Sequence, residues 1–327
     1  MDGPETRIVQ VLARYGAGEV LSCSPVRGTR NMNLAVETPR GRFFLRRRYS
    51  GYSARDWVEF DHAAMDYLAR RGAPMVPLLE TSDGEDCVVV DGEIWELFKF
   101  VESDPLPEDA TAIGREVARA LAQFHRAGED FKLRCEKRGP WGELTPAQMR
   151  RAAGQTLAVA PEARAALEFY LAQINLAEKR LGPIYDGLPA TLCHGDVHPA
   201  NLLLKGGRVI LTDLDWMGWR TRLYDVCWGL AFFGARRKER PAGESIWNLT
   251  QPFEFARDCM GEFLRTYESD YFPLSETERA ALPDMIRLMW CHGRVDGALK
   301  VPADKRAQFL GRDLRGPFDW LDANPIP

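Results

Sequence analysis

The chain has 327 residues, 45% hydrophobic and 28% charged, and a formal net charge of −4. That length holds one large or two ordinary domains with buried cores, and the balance is that of a soluble globular protein with no general attraction to nucleic acid. No uninterrupted apolar run approaches the length needed to span a bilayer, which leaves no membrane role to expect.

The N-terminal MDGPETRIVQVLARYG starts acidic and runs into a helix-like pattern, unlike a signal peptide, so a cytoplasmic location is expected. The seven cysteines, Cys23, Cys87, Cys135, Cys193, Cys227, Cys259 and Cys291, form no CxxC pair and are odd in number. They are expected to be mostly buried free thiols.

Residues 34–38 and 42–48, separated by Pro39-Arg40-Gly41, predict a β-hairpin. Trp57, Phe60, Ala64, Met65 and Leu68 then repeat at helical spacing, and Arg71-Gly72 gives that helix a C-terminal stop. Cys87–Val90 and Ile94–Val101 flank Asp91-Gly92, a second hairpin signal. The polar, proline-containing stretch 102–109 predicts a linker, dividing the chain into residues 1–101, rich in strands, and residues 102–327, mostly helical. In the second part Ile113, Val117, Leu121 and Phe124 share a helix face, residues 161–180 form a long helix, and Thr145–Gln148 and Ser275–Glu278 have the form of capping boxes.

One segment interrupts the helices: LCHGDVHPANLLLKGGRVILTDLDW, residues 192–216. Leu202–Leu204 and Val209–Leu211 read as two strands turned by Gly206-Gly207, so Asn201 and Asp213 fall at the same open end of an antiparallel pair. An amide oxygen and a carboxylate there are hard ligands suited to Mg²⁺ in company with phosphate oxygens. Asp196, five residues before Asn201, is near enough to take a proton from a hydroxyl attacking a phosphoryl group.

The run HGDVHPAN at 194–201, with TDLD at 212–215 and YDVCW at 224–228, resembles the signature of the aminoglycoside phosphotransferase and choline kinase-like superfamily. Type II homoserine kinases and bacterial stress-response serine/threonine kinases also belong to it. The resemblance implies an α+β, bilobal protein kinase-like fold, with a small β-rich N-lobe over a larger helical C-lobe. It implies an enzyme dependent on ATP and Mg²⁺ that moves the γ-phosphoryl group to a hydroxyl of a small molecule, with a protein kinase or a non-catalytic ATP-binding pseudokinase as alternatives. Asp196 is then the catalytic residue, and Asn201 and Asp213 hold the metal. Asp215 is a weaker candidate, for the metal or the substrate. Asp225 ties down the catalytic loop, helped by His194 and His198.

In the N-lobe the resemblance puts Gly28 near phosphate, Arg46 where related folds have a lysine, and Asp61, or Glu59 in another register, as its partner on the helix. Arginine keeps the charge while changing the geometry, and Arg48 is the other choice for that position. Leu97–Val101, with Phe98 and Phe100, is the hinge that would receive adenine. The acceptor is expected around residues 255–300, where an extended acidic surface would favour a polycationic substrate.

A metallohydrolase built on His-x-Asp-x-His is the competing reading. It lacks further His or Asp motifs, since His62, His125 and His292 all sit in helix-like contexts.

Overall fold

The computed structural model describes residues 4–26, 30–107, 110–135, 146–237 and 245–327. Its N-terminal part is helix α1 (Pro4–Arg14), strands β1 (Ser22–Val26), β2 (Met32–Thr38) and β3 (Gly41–Arg47), helix α2 (Arg55–Arg70), then β4 (Val88–Val90) and β5 (Glu93–Lys99). The five strands make one antiparallel sheet in the order β1-β2-β3-β5-β4. Both hairpins expected from the sequence are present. Asp91 and Gly92, at φ 52° and 77°, take the left-handed conformation that a tight hairpin turn needs.

Strand alternation decides what each face does. Leu34, Val36, Leu45, Trp95 and Leu97 point to one side, where Val11 and Leu12 of α1 close a small apolar core. Phe44, Arg46 and Phe98 point to the other side, toward the cleft. The apolar face of α2, with Phe60, Ala64, Met65 and Leu68, joins the large core of the C-terminal part. The helix thus comes early in the chain yet packs with residues far beyond 101.

That C-terminal part contains α3 (Ala110–Gly128), α4 (Pro146–Val159), α5 (Arg164–Leu181), β6 (Ala190–Cys193), β7 (Leu202–Lys205), β8 (Arg208–Leu211), β9 (Gly218–Thr221), α6 (Leu223–Phe233), α7 (Ile246–Leu249), α8 (Arg257–Asp270) and α9 (Glu276–Val295). Ser275 and Glu278 form the reciprocal capping box expected at the start of α9. Thr145 of the other candidate box lies outside the described residues. The β7–β8 hairpin forms as read, whereas the pairing of β6 with β9 was not foreseen. Within the expected linker, Asp104 is tied to that hairpin: it donates its N–H to the Leu204 carbonyl, and its Oδ2 accepts from Gly206 N–H. All seven cysteines are free, and Cys193, Cys227, Cys259 and Cys291 are buried. No helix among the described residues is long and apolar enough to cross a membrane.

Candidate active site

The loop after β6 is shaped by a buried carboxylate. Asp225, in the first turn of α6, is fully buried and accepts from the backbone N–H of His194 (2.6 Å) and Gly195 (2.9 Å), and from His125 Nε2 (3.0 Å). Burial alone would raise its pKa, but His125, His194 and the Gly195 amide outweigh it and hold Asp225 below the usual carboxylate range. His125 is in turn held by the Tyr267 hydroxyl at 2.8 Å. His125, Cys193 and Asp225 could together approach one ion, yet both Asp225 oxygens are already occupied by donors. Gly195, at φ +87°, has no room for a side chain, since a Cβ there would lie 2.2 Å from the Trp216 carbonyl oxygen.

This bracing presents Asp196 to the cleft. Its Oδ2 accepts from Asn201 Nδ2 at 3.0 Å and lies 3.3 Å from His198 Nε2, leaving Oδ1 for another donor. Burial opposes its ionisation, but His198, His194 and Lys300 keep its pKa below the ordinary value, so it is a carboxylate at neutral pH. His198 also caps the short turn at 199–201 through Nδ1, and His194 Nε2 meets the Thr212 carbonyl at 2.9 Å. Asn201 has its amide nitrogen committed to the carbonyl and carboxylate of Asp196. Its oxygen is therefore the ligand atom left for a cation.

Across the hairpin, Thr212 N–H donates to the Asn201 carbonyl at 3.0 Å, bringing Asp213 beside Asn201. Asp213 adopts φ 59°, ψ 70°, a left-handed conformation uncommon outside glycine, and its side chain is 43% exposed in the cleft. Surrounding protein and then the neighbouring Asp215 raise the Asp213 carboxyl above its usual range, against the pull of Arg46. A divalent cation would relieve that like-charge crowding, and the oxygen donors Asn201 and Asp213 suit Mg²⁺.

Asp215 is placed differently from Asp213. It is buried, accepts from Asn31 Nδ2 at 2.6 Å, and lies 3.1 Å from Arg46 Nη1 and 3.7 Å from Arg48 Nη1. This carboxylate bridges to the N-terminal sheet.

The arginines correct one pairing. Arg46 does not meet Asp61. Its Nε donates to Glu96 Oε2 at 2.7 Å, directly across the β3–β5 ladder, and its Nη1 lies 3.6 Å from Asp213. Arg48, two residues on and on the same face, takes Asp61 at 2.7 Å and Glu96 at 2.9 Å, because it lies nearer the start of α2. Glu59 is exposed and pairs with Arg55. Burial would raise Glu96, but Arg46, Arg48 and His62 hold it well below the carboxylate range. Glu96 was missed in the sequence, although its cross-strand register with Arg46 follows from the two hairpins.

Two cavities meet at this site. The smaller, about 220 Å³, lies under the sheet between Phe44, Arg46, Phe98 and Phe100 above and Leu203 and Leu211 below. The larger, about 810 Å³, spreads from Asp196 toward α4, α6, α7 and the end of α9. Asn201 and Asp213 line both. Of the span 255–300 expected to hold the acceptor, only residues 292–300 reach the larger cavity, while Gln148, Arg151 and Gln155 of α4 reach it unforeseen. Gly28 lies outside the described residues.

A small sheet over a helical body, with a braced loop and clustered carboxylate and amide oxygens in the cleft between them, is the architecture of kinase-like phosphotransferases. The fold is similar to that of amicoumacin kinase hAmiN in complex with AMP-PNP, Ca²⁺ and Ami (TM-score 0.67, 14% identity, 99% of this chain and 95% of that one). It is also similar to a microcompartment-associated aminopropanol kinase (TM-score 0.61, 16% identity, 98% and 99%). A sequence model described as the phosphotransferase enzyme family matches residues 22–263, and the chain belongs to that family. Relatives include homoserine kinases of Rhodopseudomonas palustris, 27% identical over 86% of this chain and 80% of the relative, and Nitrobacter winogradskyi, 28% identical over 90% and 85%.

Proposed function

We propose that the protein transfers the γ-phosphoryl group of ATP to a hydroxyl of a small-molecule acceptor, with Mg²⁺. The observation that carries this is the meeting of the two cavities at Asn201 and Asp213, with Asp196 beside them. The smaller cavity suits adenine, flanked by Phe98 and Phe100, with the 97–101 backbone along its edge. Arg46 then reaches phosphate charge from the sheet side, as arginine can. Its contact with Asp213, at 3.6 Å, means that it shares the metal's neighbourhood.

The acceptor hydroxyl lies against Asp196 Oδ1. As its oxygen attacks the γ-phosphorus, its proton passes to Asp196, and the bond from that phosphorus to the β–γ bridging oxygen breaks to release ADP. Asn201 and Asp213 would hold Mg²⁺, which when bound would supply charge neutralisation on the phosphate oxygens. The chain's own contribution is position: Asn201 and His198 fix the Asp196 carboxylate, and Asp225 fixes the loop that carries it.

The test is transfer of labelled γ-phosphate, with Mg²⁺, to a panel of hydroxylated acceptors including homoserine, aminopropanol, choline and an aminoglycoside. Formation of a phosphate ester is expected with at least one small acceptor and is lost on chelation. ATP binding with no ester formed from any acceptor contradicts the proposal.

A further inference from the structure

The larger cavity has a charge balance of its own once the reaction centre is set aside. Apart from Asp196, Asp213 and Asp215, its charged lining among the described residues is Arg30, Arg151 and Lys300 against one carboxylate, Asp296. His292 lines it as a neutral imidazole, because burial and then Lys300 and Arg220 push its pKa down to about 3. Lys300 ends the short turn Gly297–Lys300 that follows α9, and Arg151 comes from α4, so the cations approach from different elements. The wall near the catalytic loop is apolar, with Trp228 stacked on Phe232 at 5.6 Å and 20°.

A polycationic acceptor would meet three cations there, a like-charge arrangement that selects against it. An acceptor with one anionic group finds several donors, and one that also carries an ammonium finds Asp296. Resting on the phosphoryl-transfer reading, we propose that the acceptor is a small alcohol bearing a carboxylate, and that Lys300, with Arg151, is the specificity-determining contact to that carboxylate. Asp296 receives the ammonium when the acceptor is an amino acid. The apolar wall at Trp228 takes the carbon chain, and the hydroxyl reaches Asp196.

The test uses acceptors in matched pairs that differ only by loss of the carboxylate: homoserine and 3-aminopropanol, serine and ethanolamine, 4-hydroxybutyrate and 1-propanol. Each is measured for turnover with Mg²⁺ and ATP, and for calorimetric binding to the protein loaded with Mg²⁺ and AMP-PNP, so that selectivity is read even where turnover is slow. The acid is expected to be the better member of at least one pair. Lys300→Gln should weaken that acid roughly 10- to 100-fold more than its decarboxylated partner in kcat/KM and in binding, as for loss of one charged hydrogen bond, since any effect of Lys300 on Asp196 is common to both members. Arg151→Gln should act in the same direction.

The proposal is overturned if the decarboxylated member is equal or better in every pair, if no acid binds, or if Lys300→Gln weakens both members alike. In the first and last cases phosphate esters still form and the phosphoryl-transfer reading stands. That reading falls only if no ester forms with any acceptor.

Discussion

Asp225→Asn is the most informative single change, because it preserves volume while removing a buried charge that braces the loop carrying Asp196. Oδ2 accepts two hydrogen bonds and Oδ1 one. An asparagine can keep its oxygen at the doubly bonded position, but its NH₂ then faces the Gly195 N–H, donor against donor. One buried backbone donor is left unpaired, at a cost of about 1–3 kcal/mol, and two charged hydrogen bonds become neutral ones worth about 1 kcal/mol less together. The sum is about 2–4 kcal/mol. With an unfolding entropy of about 2.1 cal/mol/K per residue, the 327 residues give about 0.7 kcal/mol per degree, so Tm should fall by about 3–6 °C. Displacement of Asp196 should lower kcat by roughly 10- to 100-fold, as for an ångström-scale loss of alignment. Calorimetric melting and steady-state ADP release measure the two effects. A variant that melts within about 1 °C of wild type and keeps its kcat would refute the bracing role.

Two other predictions follow from the charged clusters. Arg48, 1% exposed in its side chain, serves Asp61, Glu96 and the Tyr52 carbonyl. Arg48→Met should therefore cost about 3–5 kcal/mol, as for breaking a buried ion pair, and Arg48→Met with Asp61→Leu should recover part of it; denaturant titration checks both, and a loss below about 1 kcal/mol would contradict the assignment. Lys300 faces Asp196, Asp296, Arg30 and His292, and burial lowers its pKa to about 8 against the pull of Asp196 and Asp296. Asp296, raised to about 6 by burial, is already ionised above pH 7, and His292 is neutral there. KM for an acid acceptor should accordingly rise as pH passes about 8 and the ammonium deprotonates, while KM for its decarboxylated counterpart stays level.

How far the sequence could be read depended on the range of the interactions. The β2–β3, β4–β5 and β7–β8 hairpins, α2 with its stop at Gly72 and the capping box at Ser275 were legible because local turn chemistry and periodicity specify them. The juxtaposition of Asp196, Asn201 and Asp213 was legible too, since one hairpin and a five-residue spacing bring them together. The pairing of Arg48 with Asp61 was not, because it depends on where α2 packs after an irregular turn at 50–54, and that position is set by a core formed largely beyond residue 110. The β6–β9 pair joins four-residue strands whose sequences, ATLC and GWRT, carry no alternation long enough to read. Arg151, His292 and Lys300 come to line one cavity only through tertiary packing of α4 against the end of α9. The bridge from Asp215 to Asn31 and Arg46 likewise spans the cleft, and spacing along the chain is silent about it.

The most direct measurement of the central claim compares Asp196→Asn with Asp213→Asn in two assays: calorimetric binding of AMP-PNP with and without Mg²⁺, and single-turnover phosphoryl transfer to the best acceptor. Asp196→Asn should bind Mg²⁺ and nucleotide within about twofold of wild type while transfer falls by roughly 10²- to 10⁴-fold, the range for losing a general base; Asp213→Asn should lose the Mg²⁺-dependent part of nucleotide binding. Near-normal transfer by Asp196→Asn, or undiminished Mg²⁺ dependence in Asp213→Asn, would contradict the account.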